Sequence, residues 1–269
     1  MSAVPVDGPR EGTIVPGSFE SFRLTDRVAL VTGGSRGLGR EMVLAFAAAG
    51  ADVVIASRNG DQCAKLAAEV EETTGRSALP YACHVGRWGE LDGLVDAAYE
   101  RFGKVDVLVN NAGMSPRYDR VEDVSEELYD KVFAVNLKGA FRLTALVGSR
   151  MVASGNGGSI INVSSGAATQ SRPHIIPYAA AKAGLNSMTV GFARTFGPTV
   201  RVNCIMPGPF LTDISKAWDM DAFQERARRT FVLQRGGQPH EIVGAALYFA
   251  SDASSFTTGA VLAVDGGLP

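Results

Sequence analysis

Tyr178 and Lys182 stand four residues apart in Ile176-Pro177-Tyr178-Ala179-Ala180-Ala181-Lys182. On a helix that spacing puts both side chains on one face. A phenol ionises near ~10, so it is a poor base at neutral pH unless its anion is stabilised. A neighbouring ammonium provides that stabilisation and lowers the phenol's pKa. The pair can therefore pass a proton to or from an oxygen, as carbonyl reduction by hydride, or its reverse, requires. Pro177 fits a helix start and sets Tyr178 in the first turn. Such a pair is common on ordinary helices and carries little alone. Ser164 and Ser165, at the end of an apolar run, each offer a hydroxyl that can donate to the same substrate oxygen as charge develops.

A second constellation is suited to phosphates. Thr32-Gly33-Gly34-Ser35-Arg36-Gly37-Leu38-Gly39 lies between an apolar run and a helical pattern. Glycines there let a backbone turn tightly and bring a pyrophosphate onto the peptide N–H groups of a helix N-terminus. The spacing is T-G-x-x-x-G-x-G, which departs from the common dinucleotide pattern G-x-G-x-x-G. The next apolar run ends in Ser57-Arg58, where an NAD enzyme would normally place an acid to accept from the ribose hydroxyls. Arg36 and Arg58 can clamp a 2′-phosphate that such an acid would repel. NADP(H) is therefore expected over NAD(H), with NAD(H) as the alternative.

The elements that must hold these residues follow from patterning. Apolar runs of strand length occur at Val28–Thr32, Asp52–Ala56, Ala78–Cys83, Val105–Val109, Ser159–Val163, Val200–Ile205 and Ala260–Val264. Their Val, Ile and Ala content suits strands buried on both faces of a parallel sheet. Helical periodicity fills the intervals: 38–49, 61–74, a face made by Leu91, Leu94, Val95 and Ala98, two long helices over about 125–152 and 178–196, and a last one over 239–250. This alternation implies one doubly wound α/β domain over residues 25–269. Residues 1–24, with Pro5, Pro9 and Pro16 among glycines, are expected to form a flexible arm, with Phe19, Phe22 and Leu24 able to dock on the body.

Further motifs appear in order along the chain. Asn110-Asn111-Ala112-Gly113 follows the fourth run, Asn136-Leu137-Lys138-Gly139 lies in the first long helix, and Pro207-Gly208 ends the sixth run, with Thr212 beyond. Taken with the glycine turn and Tyr178-x-x-x-Lys182, the set resembles the short-chain dehydrogenase/reductase family in its single-domain form, over about residues 25–269. The resemblance implies a Rossmann-type, doubly wound, parallel seven-stranded sheet with helices on both faces. It favours Ser165, thirteen residues before Tyr178, over Ser164, which is then read as bonding the backbone. It also implies that Asn136 holds a backbone carbonyl and a water connecting Lys182 to bulk solvent. Asn136, Ser165, Tyr178 and Lys182 are thus the expected catalytic set.

For the cofactor, the same resemblance points to Gly33, Ser35, Arg36, Gly37, Leu38, Gly39, Ser57, Arg58, Asn110, Ala112, Gly113, Pro207, Gly208 and Phe210. Lys182 would bond the nicotinamide ribose, its charge joining that of the oxidised nicotinamide in favouring phenolate at Tyr178. Thr212 would bond the carboxamide. Family members usually place an Asp after the third strand to accept from the adenine amino group; this chain has Cys83-His84-Val85. His84 would accept through a neutral ring nitrogen, or Val85 and the backbone would flank the base. Residues 209–236 would form a substrate lid, with 114–119 and 167–173 as the other walls. The lid's Phe210, Leu211, Ile214, Trp218, Met220, Phe223, Phe231 and Leu233 suit either an apolar substrate or the lid's own packing.

The activity expected is interconversion of a carbonyl and a secondary alcohol on a small-molecule substrate, foremost ketone reduction. A 3-oxoacyl thioester reductase, a polyol or alcohol dehydrogenase and a non-catalytic cofactor sensor are the rival readings. The resemblance implies a homotetramer.

Bulk properties narrow the partners. The chain has 269 residues, 46% of them apolar, and a formal net charge of −2. Without a block of like charge, nucleic acid is not expected as a partner. No apolar stretch is long enough to span a bilayer, and the N-terminus lacks the apolar core of a signal peptide. Cys63, Cys83 and Cys204 are far apart without metal-ligand spacing, so no metal site is expected and a reducing, cytoplasmic location is.

Overall fold

A computed structural model describes residues 19–213, 215 and 218–268. Most of the expected arm, and Ile214 of the expected lid, lie outside the described residues. Phe19–Phe22 forms a short 3₁₀ turn with Phe19 exposed. Leu24 is already core: it is buried beside Phe46, and its N–H donates to Ala49 O at 2.8 Å.

Seven strands form one parallel sheet in the order β3-β2-β1-β4-β5-β6-β7. They are β1 (Val28–Thr32), β2 (Asp52–Ser57), β3 (Ala78–Ala82), β4 (Val107–Asn110), β5 (Gly158–Val163), β6 (Val200–Pro207) and β7 (Val261–Val264). Alternate residues of each central strand face opposite layers, as the pleat requires. Val31, Val53, Ile55 and Ile161 pack on α1 (Gly37–Ala48), α2 (Gly60–Thr74) and α8 (Val243–Ala250). Leu30, Val54, Leu108 and Ile160 pack on α3 (Trp88–Phe102), α5 (Gly139–Ser154) and α6 (Ile176–Phe196).

Two features differ from the pattern-based expectation. Strands β3 and β7 are not buried on both faces, because they are the sheet edges and have a neighbour on one side only. The long helix expected over 125–152 is interrupted. α4 (Glu126–Phe133) passes into a π turn at Ala134–Lys138 before α5 begins. Gly139 explains part of this junction: a Cβ there would stand 2.2 Å from Val85 O. Only a residue without a side chain lets the helix approach the loop after β3 so closely.

Candidate active site

The reversal of strand order between β1 and β4 opens a crevice at the carboxyl ends of the strands, the usual ligand position in such sheets. The glycine turn enters it from β1. Gly33 has φ +62°, and a Cβ on Gly39 would stand 2.2 Å from Gly33 O, so both positions exclude side chains. Arg36 precedes α1 without a side-chain cap, which leaves the helix N-terminus with Gly37 and Leu38 chemically suited to a pyrophosphate.

The turn is clamped from the β4 side by residues whose part was not foreseen. Thr32 Oγ1 donates to Val109 O at 3.2 Å and accepts from the N–H groups of Asn111 and Ala112. Asn111 Nδ2 donates to the carbonyls of Thr32 and Gly33 at 2.9 and 3.1 Å. The signal for this pair was present, since Thr32 ends one apolar strand and Asn111 directly follows another. Asn110 lies deeper. Its Nδ2 donates to Thr144 Oγ1 and Asn162 Oδ1, both at 2.9 Å, so it ties β4 to α5 and β5.

An open cleft of about 600 Å³ lies beside the turn, lined by Ser35, Arg36, Ser57, Arg58, Asn59 and the start of α2. Ser35 Oγ donates to Ser57 Oγ at 2.9 Å. Arg36 and Arg58 are exposed and, among the described residues, neither has an ion-pair partner. This lining fits the ribose end of a dinucleotide, with two cations free for a phosphate. Val85 is buried. His84 Nδ1 accepts from Gly86 N at 3.1 Å, and the backbone N–H of His84 donates to Glu90 Oε2 at 2.7 Å. With Nδ1 so engaged, a neutral His84 carries its proton on Nε2 and offers a donor there; the expected acceptor is not available.

Around Tyr178 the elements converge. Pro177 is in the first turn of α6, with Tyr178 next. Ser165 follows β5 and starts a 3₁₀ turn; its Oγ accepts from Ala167 N at 3.2 Å, and its hydroxyl hydrogen-bonds Tyr178. Ser164 points away and donates to Lys182 O at 3.1 Å. Lys182 is buried; its Nζ donates to Val163 O at 2.8 Å and lies 5.9 Å from the Tyr178 ring centroid. Asn136 in the π turn is satisfied on both ends of its amide. Nδ2 donates to Met114 O and Val132 O at 2.9 Å, and Oδ1 accepts from Met114 N at 3.1 Å. It thereby fixes the loop after β4. Gly113 in that loop separates it from Lys182: a Cβ there would be 3.0 Å from Asn136 Oδ1 and 3.5 Å from Lys182 Nζ.

Protonation in the chain by itself differs from the sequence-based expectation. Burial raises the Tyr178 pKa, with a hydrogen bond to Ser165 opposing, and no lowering by Lys182 appears. Burial also brings Lys182 down to about 8, with the Cys204 thiol partly offsetting. The ammonium is turned to the Val163 carbonyl, so desolvation outweighs its attraction for a phenolate. At neutral pH Tyr178 is a neutral phenol.

The lid contains a helix that patterning missed, α7 (Met220–Thr230), capped by Asp219 accepting from Ala222 N at 3.0 Å. Phe223, Ala227 and Phe231 bury against Leu211, Trp218, Met220 and Leu268. Phe210 instead joins the main core. Much of the lid's apolar content is thus spent on its own packing. Pro207 ends β6, and Thr212 lies against Gly37, where an added Cβ would meet it at 3.6 Å. A Cβ on Gly208 would stand 2.7 Å from Asp265 Cα. Among the described residues no group of His, Cys, Asp and Glu side chains could hold a metal, and no helix is long and apolar enough to cross a membrane.

Comparison with known proteins agrees with this architecture. A family model described as enoyl-(acyl carrier protein) reductase matches residues 33–269. The short chain dehydrogenase/reductase astE of Aspergillus oryzae is 36% identical, over 94% of this chain and 98% of its own. A gluconate 5-dehydrogenase from Burkholderia cenocepacia, solved with NADP and tartrate, is 35% identical with a TM-score of 0.87, covering 93% of this chain and 97% of its own. A 7α-hydroxysteroid dehydrogenase solved with NADH and 7-oxo glycochenodeoxycholic acid is 32% identical with a TM-score of 0.89, again covering 93% and 97%. The chain belongs to the short-chain dehydrogenase/reductase family, the NAD(P)-dependent oxidoreductases that act on alcohols or carbonyls.

Proposed function

We propose that this enzyme reduces a ketone to a secondary alcohol with NADPH, Tyr178 serving as the proton donor. The observation that carries this reading is the meeting of Ser165, Tyr178 and Lys182 in the same crevice as the glycine turn. A neutral phenol is ready to give a proton to the oxygen that becomes an alkoxide, and is poorly placed to remove one. When bound, the reduced nicotinamide supplies the hydride. Ser165 donates to the same oxygen, Lys182 would bond the ribose, and Asn136 positions the loop beside Lys182.

The preference for NADP(H) rests on the two unpaired guanidiniums of Arg36 and Arg58 around a cleft whose strand end is Ser57. A carboxylate at that strand end would favour NAD(H). The protein solved with NADP and the one solved with NADH are similar to this chain to nearly the same degree, so the lining carries the argument. A 3-oxoacyl thioester substrate is the second reading, favoured by 37% identity over 92% of this chain to the 3-oxoacyl-[acyl-carrier-protein] reductase FabG of Thermotoga maritima. The assembly proposed is a homotetramer, supported by apolar residues exposed on α5, α6 and β7.

Two experiments test these readings. Tyr178→Phe removes only the proton donor, so kcat should fall by about 10² to 10⁴ while NADPH binding persists; near-normal kcat would take Tyr178 out of its role. Exchanging Ser57→Asp together with Arg58→Ala should move the ratio of kcat/KM for NADPH and NADH toward NADH. An unchanged ratio contradicts the NADP assignment.

A further inference from the structure

The mouth of the site carries charge that the reductase reading does not use. Arg226 on α7 has Arg172 and Arg117 as charged neighbours, one from each of the other two walls. Burial, and then these like charges, lower its pKa below the usual guanidinium value. Its guanidinium carbon lies 5.6 Å from the ring centroids of both Phe223 and Phe231, so cation–π contacts anchor it to the lid. Its Nε is buried with no hydrogen-bond partner.

All three segments border the Ser165–Tyr178 pair. Tyr118 Oη accepts from Ile176 N at 2.9 Å, which ties the Arg117 segment to the start of α6. Arg172 O accepts from Ile175 N at 3.1 Å, three residues before Tyr178. The packing cluster of α7 includes Leu268, whose Cδ2 would meet a Cβ on Gly166 at 3.2 Å, next to Ser165.

Two acids close in sequence to Arg226 are otherwise engaged. Glu225 pairs with Arg229 at 2.5 Å, and Asp219 caps α7. Among the described residues no carboxylate forms an ion pair with Arg117, Arg172 or Arg226, whereas Arg40, Arg142, Arg150 and Arg235 all have acidic partners. Like charges gathered beside one another are costly until an anion meets them.

We propose that Arg226, with Arg117 and Arg172, binds an anionic group of the substrate, a carboxylate or a phosphate ester remote from the reacting carbonyl. The proposal rests on the ketone-reductase reading and narrows its substrate class to oxo acids or oxoalkyl phosphates.

The test uses the full-length enzyme with NADPH and straight-chain oxo acids of increasing length, their methyl esters and the matching oxoalkyl phosphates. For at least one chain length an anion should exceed its ester in kcat/KM by about tenfold or more, the worth of one charge-assisted hydrogen bond. Which anion wins separates carboxylate from phosphate. Arg226→Gln should bring the anion-to-ester ratio down about tenfold, and Arg226→Lys should retain part of it. Calorimetric titration of the NADP⁺-loaded protein with the same anions reads binding apart from turnover. Anion binding that depends on Arg226 but brings no NADPH oxidation supports the anion site and overturns the reductase reading. Esters turned over as well as acids and phosphates at every length overturn the anion site and leave the reductase intact.

Discussion

At the scale of single residues, charge state is what the surroundings decide. Lys182 is buried with its Nζ donating to a carbonyl, and burial brings its pKa to about 8 from an ordinary 10.5. Between those values the unfolded chain holds a proton that the folded chain has lost, so stability rises with pH across that window; below about 8 the full penalty stands. Lys182→Met removes the penalty. In the cofactor-free protein it should raise stability at pH 7 by on the order of 2 kcal/mol while abolishing turnover. Thermal unfolding of both forms from pH 7 to 10 checks this, and the gap in Tm should narrow as pH rises. A variant that is less stable than the parent at pH 7 contradicts the penalty. The types and spacing of Tyr178, Lys182 and Ser165 were legible, but the raised Tyr178 pKa was not. It depends on how much protein surrounds the phenol and on where Lys182 turns.

At the scale of elements, periodicity located all seven strands to within about two residues, because a parallel sheet buried between helices imposes continuous apolar runs. It missed the break between α4 and α5. An Asn in mid-helix and a Gly three residues later were visible, but their meaning lies in contacts with Met114 and Val85, distant in sequence. Gly139→Ala tests that contact. Its methyl cannot fit against Val85 O, so the variant should lose about 1–3 kcal/mol and bind NADPH more weakly as the loop after β3 shifts. Chemical denaturation and a fluorescence titration with NADPH measure the two effects; unchanged values for both would show that the junction yields freely. The helix α7 did have a signal, namely Asp219 as a cap and Phe223 and Ala227 four residues apart, within a segment read only for its apolar content.

At the scale of the whole molecule, two groups of exposed apolar side chains bear on assembly. Trp88 and Phe141 stack at 6.3 Å on α3 and α5, and Phe141 also meets Phe192 of α6 at 5.4 Å while remaining 43% exposed. Val152 and Val190 are exposed on the same pair of helices, α5 and α6. Phe256, Val261 and Leu262 lie exposed near the sheet edge at β7. Two patches on different faces suit two kinds of contact in a symmetric tetramer. Phe141→Glu should split that assembly into smaller species in light scattering at micromolar concentration. A parent protein that is already monomeric there would dismiss the tetramer.

By itself the sequence determined the fold class, the order of strands and helices, the glycine turn and the spacing of Tyr178 and Lys182, because all of these depend on local periodicity or short fixed intervals. Tertiary structure alone decided which groups are desolvated, which lysine and histidine atoms are already engaged, and which arginines find no acid. Those outcomes depend on side chains brought together from distant segments, and the free energy of a charge depends on everything packed around it. The proposed proton donor could thus be picked out from its motif, while the raised pKa of its phenol came from burial among those distant segments.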